Sequence, residues 1–186
     1  MFTCDPRMRS KLLTTAEKTF TEVSAVSRKI WPDRDDAGLI FYFYTKPVGV
    51  PAPDLSAYTL QMAARVGQSA GLERDTKTQI NGLEKVTRLA LHENRFHVSS
   101  WQTRDFRANL FGGGIRFLIP EDKQIGLIAA SGFNEPGDEM FDLRCIDRMG
   151  WQSWRSNVQR VSENPLFDHF PKWSMEEAPP LRSFEE

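Results

Sequence analysis

The amino-acid sequence predicts a single α/β domain, and three observations lead to that prediction. The chain has 186 residues, which is enough for one well-buried core but few for two ordinary domains. Hydrophobic residues make up 40% of it and charged residues 26%, the balance of a folded globular protein. Apolar residues recur at helical spacing in some stretches and form short β-favouring runs in others. We place the domain at residues 1–163 and a proline-rich, aromatic and acidic tail at residues 164–186.

The composition argues against nucleic-acid and membrane partners. There are 24 Lys plus Arg and 25 Asp plus Glu, whereas proteins that bind phosphate backbones usually carry a basic excess. No stretch approaches the roughly 18 apolar residues of a membrane span, and the first residues contain no apolar run of signal-peptide length. The two cysteines, Cys4 and Cys145, are too few for a disulfide framework. These features predict a cytoplasmic protein.

The first elements are a helix and a strand. Apolar residues at every third or fourth position predict a helix from Ser10 to Ile30, and the pair Trp31-Pro32 ends it. The aromatic run from Leu39 to Thr45 then predicts a strand that is covered on both faces.

The next stretch is predicted to be helical and then irregular. A second apolar stripe predicts a helix from Leu55 to Ala70, with Gly71 at its end. Residues 73–82 are polar and are expected to form a loop. Residues 83–101 fit either helix or strand in their first part, while the alternation from Arg95 to Ser99 favours extended structure.

A hairpin and a helix are predicted next. Two β-like runs, Ile115–Ile119 and Gln124–Ala130, flank a charged turn that contains proline, which is typical of a hairpin. After a break, Pro136 suits the first turn of a helix. Asp138 and Glu139 fall in that turn, where the helix dipole favours negative charge. The apolar pattern extends this helix through Trp151, Trp154, Val158 and Val161.

The glycine triplet Gly112, Gly113 and Gly114 is the main candidate for ligand binding. Consecutive glycines can arrange their N–H groups as a concave nest that binds an anion. Neither the P-loop pattern nor the dinucleotide fingerprint accompanies them. The alternative is a strand entry where another part of the backbone comes close, and the sequence leaves both interpretations open.

The histidines and the absence of catalytic motifs limit the chemistry. His92 and His97 have no Cys or His cluster beside them, so no metal site is predicted. Either could serve as the single axial ligand of a haem iron, or each could be an ordinary surface histidine. No nucleophile elbow, zinc-protease motif or Cys–His signature occurs. We therefore expect a non-catalytic protein.

The order of motifs in the C-terminal half resembles the GlcG/HbpS-like family. The matching positions are Gly112, Gly113, Ser131, Gly132, Asp138 and Glu139, within residues 112–146. The resemblance implies a central antiparallel sheet with helices on both sides, in a profilin-like or PAS-like arrangement, and a tendency to oligomerise. Members have been linked to binding of haem or corrinoid, and some to partner signalling rather than catalysis.

Two functional hypotheses follow. In the first, the domain binds a small anionic ligand, with haem or a related tetrapyrrole as the candidate cofactor. The ligand would lie near Gly112–Gly114, Ser131 and Gly132, where backbone N–H groups of the loop and of the helix that starts near Asp138 and Glu139 would hold its carboxylates.

The second hypothesis is an adaptor protein that acts through its C-terminal helix and tail. Phe167, Phe170 and Trp173 would then dock on a protein partner or on another copy of the chain.

Overall fold

A four-stranded antiparallel sheet separates two helices on one face from a third helix on the other. The computed structural model describes residues 5–34, 36–91, 113–152 and 164–170. The helices and strands are α1 (Pro6–Ile30), β1 (Gly38–Pro47), β2 (Thr59–Gly67), α2 (Leu72–Leu91), β3 (Gly114–Ile119), β4 (Gln124–Ser131) and α3 (Glu135–Met149). In the sheet the strands lie in the order β2-β1-β4-β3, and each pair is antiparallel. The predicted domain of helices and strands, with a central antiparallel sheet and helices on both faces, is confirmed.

Helix α1 and strand β1 form where the sequence predicts them. The side chain of Asp5 accepts a hydrogen bond from the backbone N–H of Met8 and so caps the helix. The helix therefore begins at Pro6, four residues before the predicted start at Ser10. In β1, Phe41 and Phe43 face the core shared with α1 and α3, whereas Tyr42 and its neighbour two residues on face α2. The strand is therefore covered on both faces, as its uniformly apolar sequence indicates.

The predicted helix from Leu55 to Ala70 is wrong. Asp54 caps only one 3-10 turn, Leu55–Ala57, and the chain then continues as strand β2 beside β1. Met62 and Val66 are four residues apart, a spacing that places two side chains on one face of a strand as well as on one face of a helix. Strand β1 pairs with this segment along its length, and these non-local hydrogen bonds decide that the segment forms a strand and not a helix.

The loop predicted for residues 73–82 is also wrong, and Gly71 precedes a helix instead of ending one. Helix α2 spans this stretch, and most of its buried side chains lie in its second half. The first half is polar because it faces solvent. It is anchored by Asp75, which accepts hydrogen bonds from Arg65 and Ser69, both at 2.6 Å. A polar helix that packs through only one end has a weak apolar stripe.

The hairpin of β3 and β4 is confirmed, and so is the start of α3. Asn134 caps this helix, and Pro136 stands in its first turn as predicted. The expected continuation through Trp151 is wrong because Gly150 adopts a left-handed conformation (φ 76°) that ends the helix at Met149. The remainder of that continuation, and the strand predicted from Arg95 to Ser99, lie outside the described residues.

The larger core lies between the sheet and the helices α1 and α3. Its centre is an aromatic stack in which Phe117 lies 4.9 Å from Trp151 and 6.0 Å from Phe43, measured between ring centroids. Phe167 and Phe170 pack on the edge of the same core. The described part of the predicted tail therefore contacts its own domain.

Among the described residues, no helix is both long enough and apolar enough to cross a membrane.

Gly126→Ala tests the packing of the aromatic stack. A Cβ at this position would lie 2.3 Å from the ring of Phe117, so the stack would have to shift. We expect thermal or urea unfolding to show a loss of about 1–3 kcal/mol. Gly82→Ala is the matched control, because its Cβ would lie 3.0 Å from the ring edge of Tyr42, which has to give way by only a few tenths of an ångström, while the helix gains propensity. Equal losses in the two variants would contradict the role of the stack.

Candidate functional site

A cavity of about 580 Å³ opens between helix α2 and the start of α3. Ser131 and Gly132, at the end of β4, form part of its wall, together with Asn134 before α3. Thr78 and Asn81 contribute from α2. The cavity thus forms where a strand of the sheet passes into the helix that follows it.

The cavity wall carries more positive than negative charge. Arg34 contributes from the loop after α1, and Arg74 and Lys77 contribute from α2. The acidic side chains in the wall are those of Glu135 and Asp138. Three cations and two acidic side chains give the wall one more positive than negative charge, and Asp138 is in addition paired with a buried lysine, so the field of the cavity favours an anion.

Most backbone N–H groups at the start of α3 are already engaged within the protein. The N–H of Gly137 donates to the side chain of Asn134 at 2.9 Å, and the N–H of Asp138 donates to the carbonyl of Asn134. Pro136 has no N–H. The N–H of Phe133 donates to Asp138 Oδ1 at 3.0 Å. Side chains, more than the helix N-terminus, are therefore available to hold an anion here.

Asp138 in the cavity wall forms an ion pair with Lys85, which is fully buried and does not itself line the cavity. Lys85 Nζ lies 2.7 Å from Asp138 Oδ2, and the exposed fractions of the two residues are 0% and 3%. Burial raises the pKa of Asp138 to about 6, against the opposing effect of Lys85 and the N–H of Phe133. Asp138 is therefore a carboxyl that can change its charge near neutral pH.

Lys85 and Asp142 also complete the hydrogen bonding of the sheet. Strand β3 begins at Gly114, which pairs with Ala129, so Ala130 lies beyond the last pair. Lys85 Nζ donates to the carbonyl of Ala130 at 2.7 Å, and the N–H of Ala130 donates to Asp142 Oδ2 at 3.1 Å. These two side chains satisfy the backbone groups that a longer β3 would have bonded.

Two further buried carboxyls follow Asp138 on α3. Glu139 accepts a hydrogen bond from Asn164 Nδ2 at 3.2 Å, and burial raises its pKa to about 7. Burial also raises the pKa of Asp142 well above its usual value. Glu139 Oε1 and Asp142 Oδ1 have no hydrogen-bond partner among the described residues. Both features favour the protonated form of these groups.

The predicted site residues fall into separate groups. Ser131, Gly132 and Asp138 line the cavity, whereas Glu139 is bonded to Asn164 behind it. Gly112, His92 and His97 lie outside the described residues. Lys85 and the basic side chains of the cavity wall were not predicted as site residues. Arg74 and Lys77 lie in the stretch that was predicted to be a loop, and Lys85 lies in the stretch that fitted either helix or strand. A lysine within the buried stripe that includes Val86 and Leu89 would have been the signal.

Gly113 and Gly114 serve close packing. Gly113 has a φ of +110°, and a Cβ there would lie 2.7 Å from Cβ of Asp138. A Cβ on Gly114 would lie 2.8 Å from the side chain of Leu89. These contacts favour the second interpretation of the glycine triplet, in which the missing side chains allow neighbouring helices to approach the backbone closely. A side chain at 113 would press on the Lys85–Asp138 pair.

Comparisons with known proteins give little further information. No family model matches the chain, and no curated protein matches it. Among solved structures, the chain is similar to PduOC in a crystal structure of its complex with heme. The match covers 82% of this chain and 99% of that one, at 11% sequence identity and a TM-score of 0.40. At these values the likeness is a distant one in fold alone.

Replacement of Glu139 by Gln tests the buried carboxyls. Because the folded pKa of Glu139 is raised, its contribution to stability is complete below its ordinary value of 4.5 and is lost as the pH rises through about 7. We expect urea unfolding of the native protein to give a free energy that falls from pH 5 to pH 8. Glu139→Gln should remove about 2 kcal/mol of that fall.

Glu121→Gln is the control for this experiment, because Glu121 lies in the exposed hairpin turn and should leave the profile unchanged. A Glu139→Gln protein whose stability falls as steeply as that of the native chain would show that Glu139 is ionised throughout this range.

Proposed function

We propose that this protein binds a small anionic molecule in the cavity between α2 and the start of α3. The observation that supports this proposal is the convergence of Arg34, Arg74 and Lys77 on one concave wall. Cations that surround a cleft raise the local concentration of anions, and arginine forms paired hydrogen bonds with carboxylate or phosphate.

The size and polarity of the cavity indicate the kind of anion. A volume of about 580 Å³ falls within the range of small-molecule sites. Thr78, Asn81 and Ser131 add donors and acceptors of hydrogen bonds beside the cations. This lining suits a ligand with one or two carboxylate or phosphate groups.

The sharper form of the proposal is haem or a related tetrapyrrole. It rests on the resemblance of the glycine, Ser131-Gly132 and Asp138-Glu139 motifs to the GlcG/HbpS-like family. The carboxylates of the tetrapyrrole would meet the basic wall of the cavity, and His97 or His92 would be the candidate ligand of the iron.

We propose binding without catalysis. The carboxylate of Asp138 is the group in the cavity wall with the most perturbed pKa, yet both of its oxygens are engaged. Oδ1 accepts from the N–H of Phe133, and Oδ2 accepts from Lys85. The proposal also keeps the expectation from the sequence, which contains no nucleophile elbow, zinc-protease motif or Cys–His signature.

Lys77→Glu tests the anion site. Sulfate is the first probe, and isothermal titration calorimetry at pH 7 is the measurement. Replacement of a cation by a carboxylate should weaken sulfate binding by at least about tenfold. Lys29→Glu on the exposed face of α1 makes the same change in net charge and should bind as the native protein does. Equal weakening in both variants would indicate an effect of net charge and no defined site.

A hemin titration followed by absorbance tests the tetrapyrrole. A saturating Soret shift that Lys77→Glu and His97→Ala or His92→Ala each weaken is the expected result. A flat spectrum from a protein that binds sulfate would show that the ligand is a different anion.

A further inference from the structure

Asp138 in the cavity wall and the buried Lys85 form a charge pair whose net charge depends on a single proton. Asp138 reaches the cavity surface, and Lys85 lies directly behind it with no exposed surface. While Asp138 is ionised, the two charges cancel. When Asp138 is protonated, the cavity wall loses one negative charge at this point, and the balance of charge around the cavity becomes more positive by one.

We propose that anion binding in this cavity is coupled to proton uptake by Asp138, the carboxylate of the cavity wall that is paired with the buried Lys85. This inference rests on the proposed function, because it concerns the regulation of the same site. An anion in the cavity and the carboxylate of Asp138 repel each other, so each proton bound at Asp138 strengthens anion binding. By linkage, the anion in turn favours the protonated carboxyl.

Asp138 has cations around it on the side of α2 and of the loop after α1, and acidic side chains near it on its own helix. From α2 it faces Lys85, with Arg74 and Lys77 across the cavity, and from the loop after α1 it faces Arg34. On α3 its neighbours are the acidic side chains Glu135, Glu139 and Asp142.

The protonation range of Asp138 fits a physiological response. Its pKa, raised to about 6 by burial, means that a bound anion would act on a carboxyl close to its midpoint. Glu139 titrates near pH 7, but its side chain is bonded to Asn164 instead of facing the cavity. Asp138 is thus the buried carboxyl that is placed to sense the ligand.

The test measures sulfate binding to the full chain by calorimetry between pH 5 and pH 8. Sulfate is the suitable probe because it remains a dianion throughout this range, whereas phosphate changes its own charge. We expect the affinity to rise about tenfold from pH 8 to pH 5. Titrations at pH 6.5 in two buffers of different ionisation enthalpy should show that each sulfate is bound with uptake of a fraction of a proton.

Asp138→Asn keeps the shape of the side chain and removes its charge. This variant should bind sulfate at pH 8 about as tightly as the native protein binds it at pH 5, with no further dependence on pH. Glu135→Gln and Glu139→Gln are the matched controls, because each removes one neighbouring carboxyl and should retain the pH dependence. Circular dichroism shows whether each variant is folded. The measurement of proton uptake uses the native protein alone, so it does not depend on the folding of any variant.

The outcomes separate this inference from the proposed function. Sulfate binding whose affinity does not change with pH, or that occurs without proton uptake, would overturn the coupling and leave the anion site intact. A pH dependence that persists in Asp138→Asn would also overturn it. No sulfate binding at any pH would overturn the anion site itself and the coupling with it.

Discussion

The hydrogen bonds of Lys85 and Asp142 to Ala130 connect the layers of this fold. Strand β4 extends two residues beyond its last pair with β3, and without other partners the N–H and carbonyl of Ala130 would be buried and unsatisfied. A lysine from one face of the sheet and an aspartate from the other provide those partners. Because an unsatisfied buried backbone group costs about 1–3 kcal/mol, this arrangement fixes α2 and α3 relative to the end of β4.

The same requirement explains why α3 carries three buried carboxyls. Asp138 neutralises Lys85, and Asp142 accepts from the N–H of Ala130. Asn164 donates to Glu139 and to the carbonyl of Pro136, and these two hydrogen bonds hold Asn164 against the start of α3. Among the contacts described, only one lysine lies beside these three carboxyls. Burial raises the pKa of each of them, because desolvation outweighs the stabilisation of the charged form.

The cavity is a consequence of this arrangement. The ion pair fixes the first turn of α3 beside α2, and the polar first half of α2 projects Arg74 and Lys77 into the space between them. The side of α2 that lacks apolar residues thus supplies the charges from which we infer an anionic ligand.

How far the sequence leads depends on whether the interactions are local. The helix from residue 10, the covered strand from Leu39 and the hairpin were predictable, because their periodicity and turn residues act within the segment itself. The motif residues Ser131, Gly132 and Asp138, which we predicted to bind the ligand, line the cavity, and their role in binding stays a prediction.

Tertiary structure alone decided the remaining features. Residues 59–67 form a strand because β1 offers them hydrogen bonds, although their apolar spacing suits a helix equally well. Residues 72–82 form a helix because they continue the second half of α2, which is buried. Lys85 meets Asp138 across 53 positions of sequence, and Gly113 is required because Asp138 packs against it. The sequence by itself determined the elements whose apolar periodicity and turn residues are unambiguous within the segment. Long-range strand pairing and burial determined whether the ambiguous segments became strand or helix. They also determined which charged side chains came into contact.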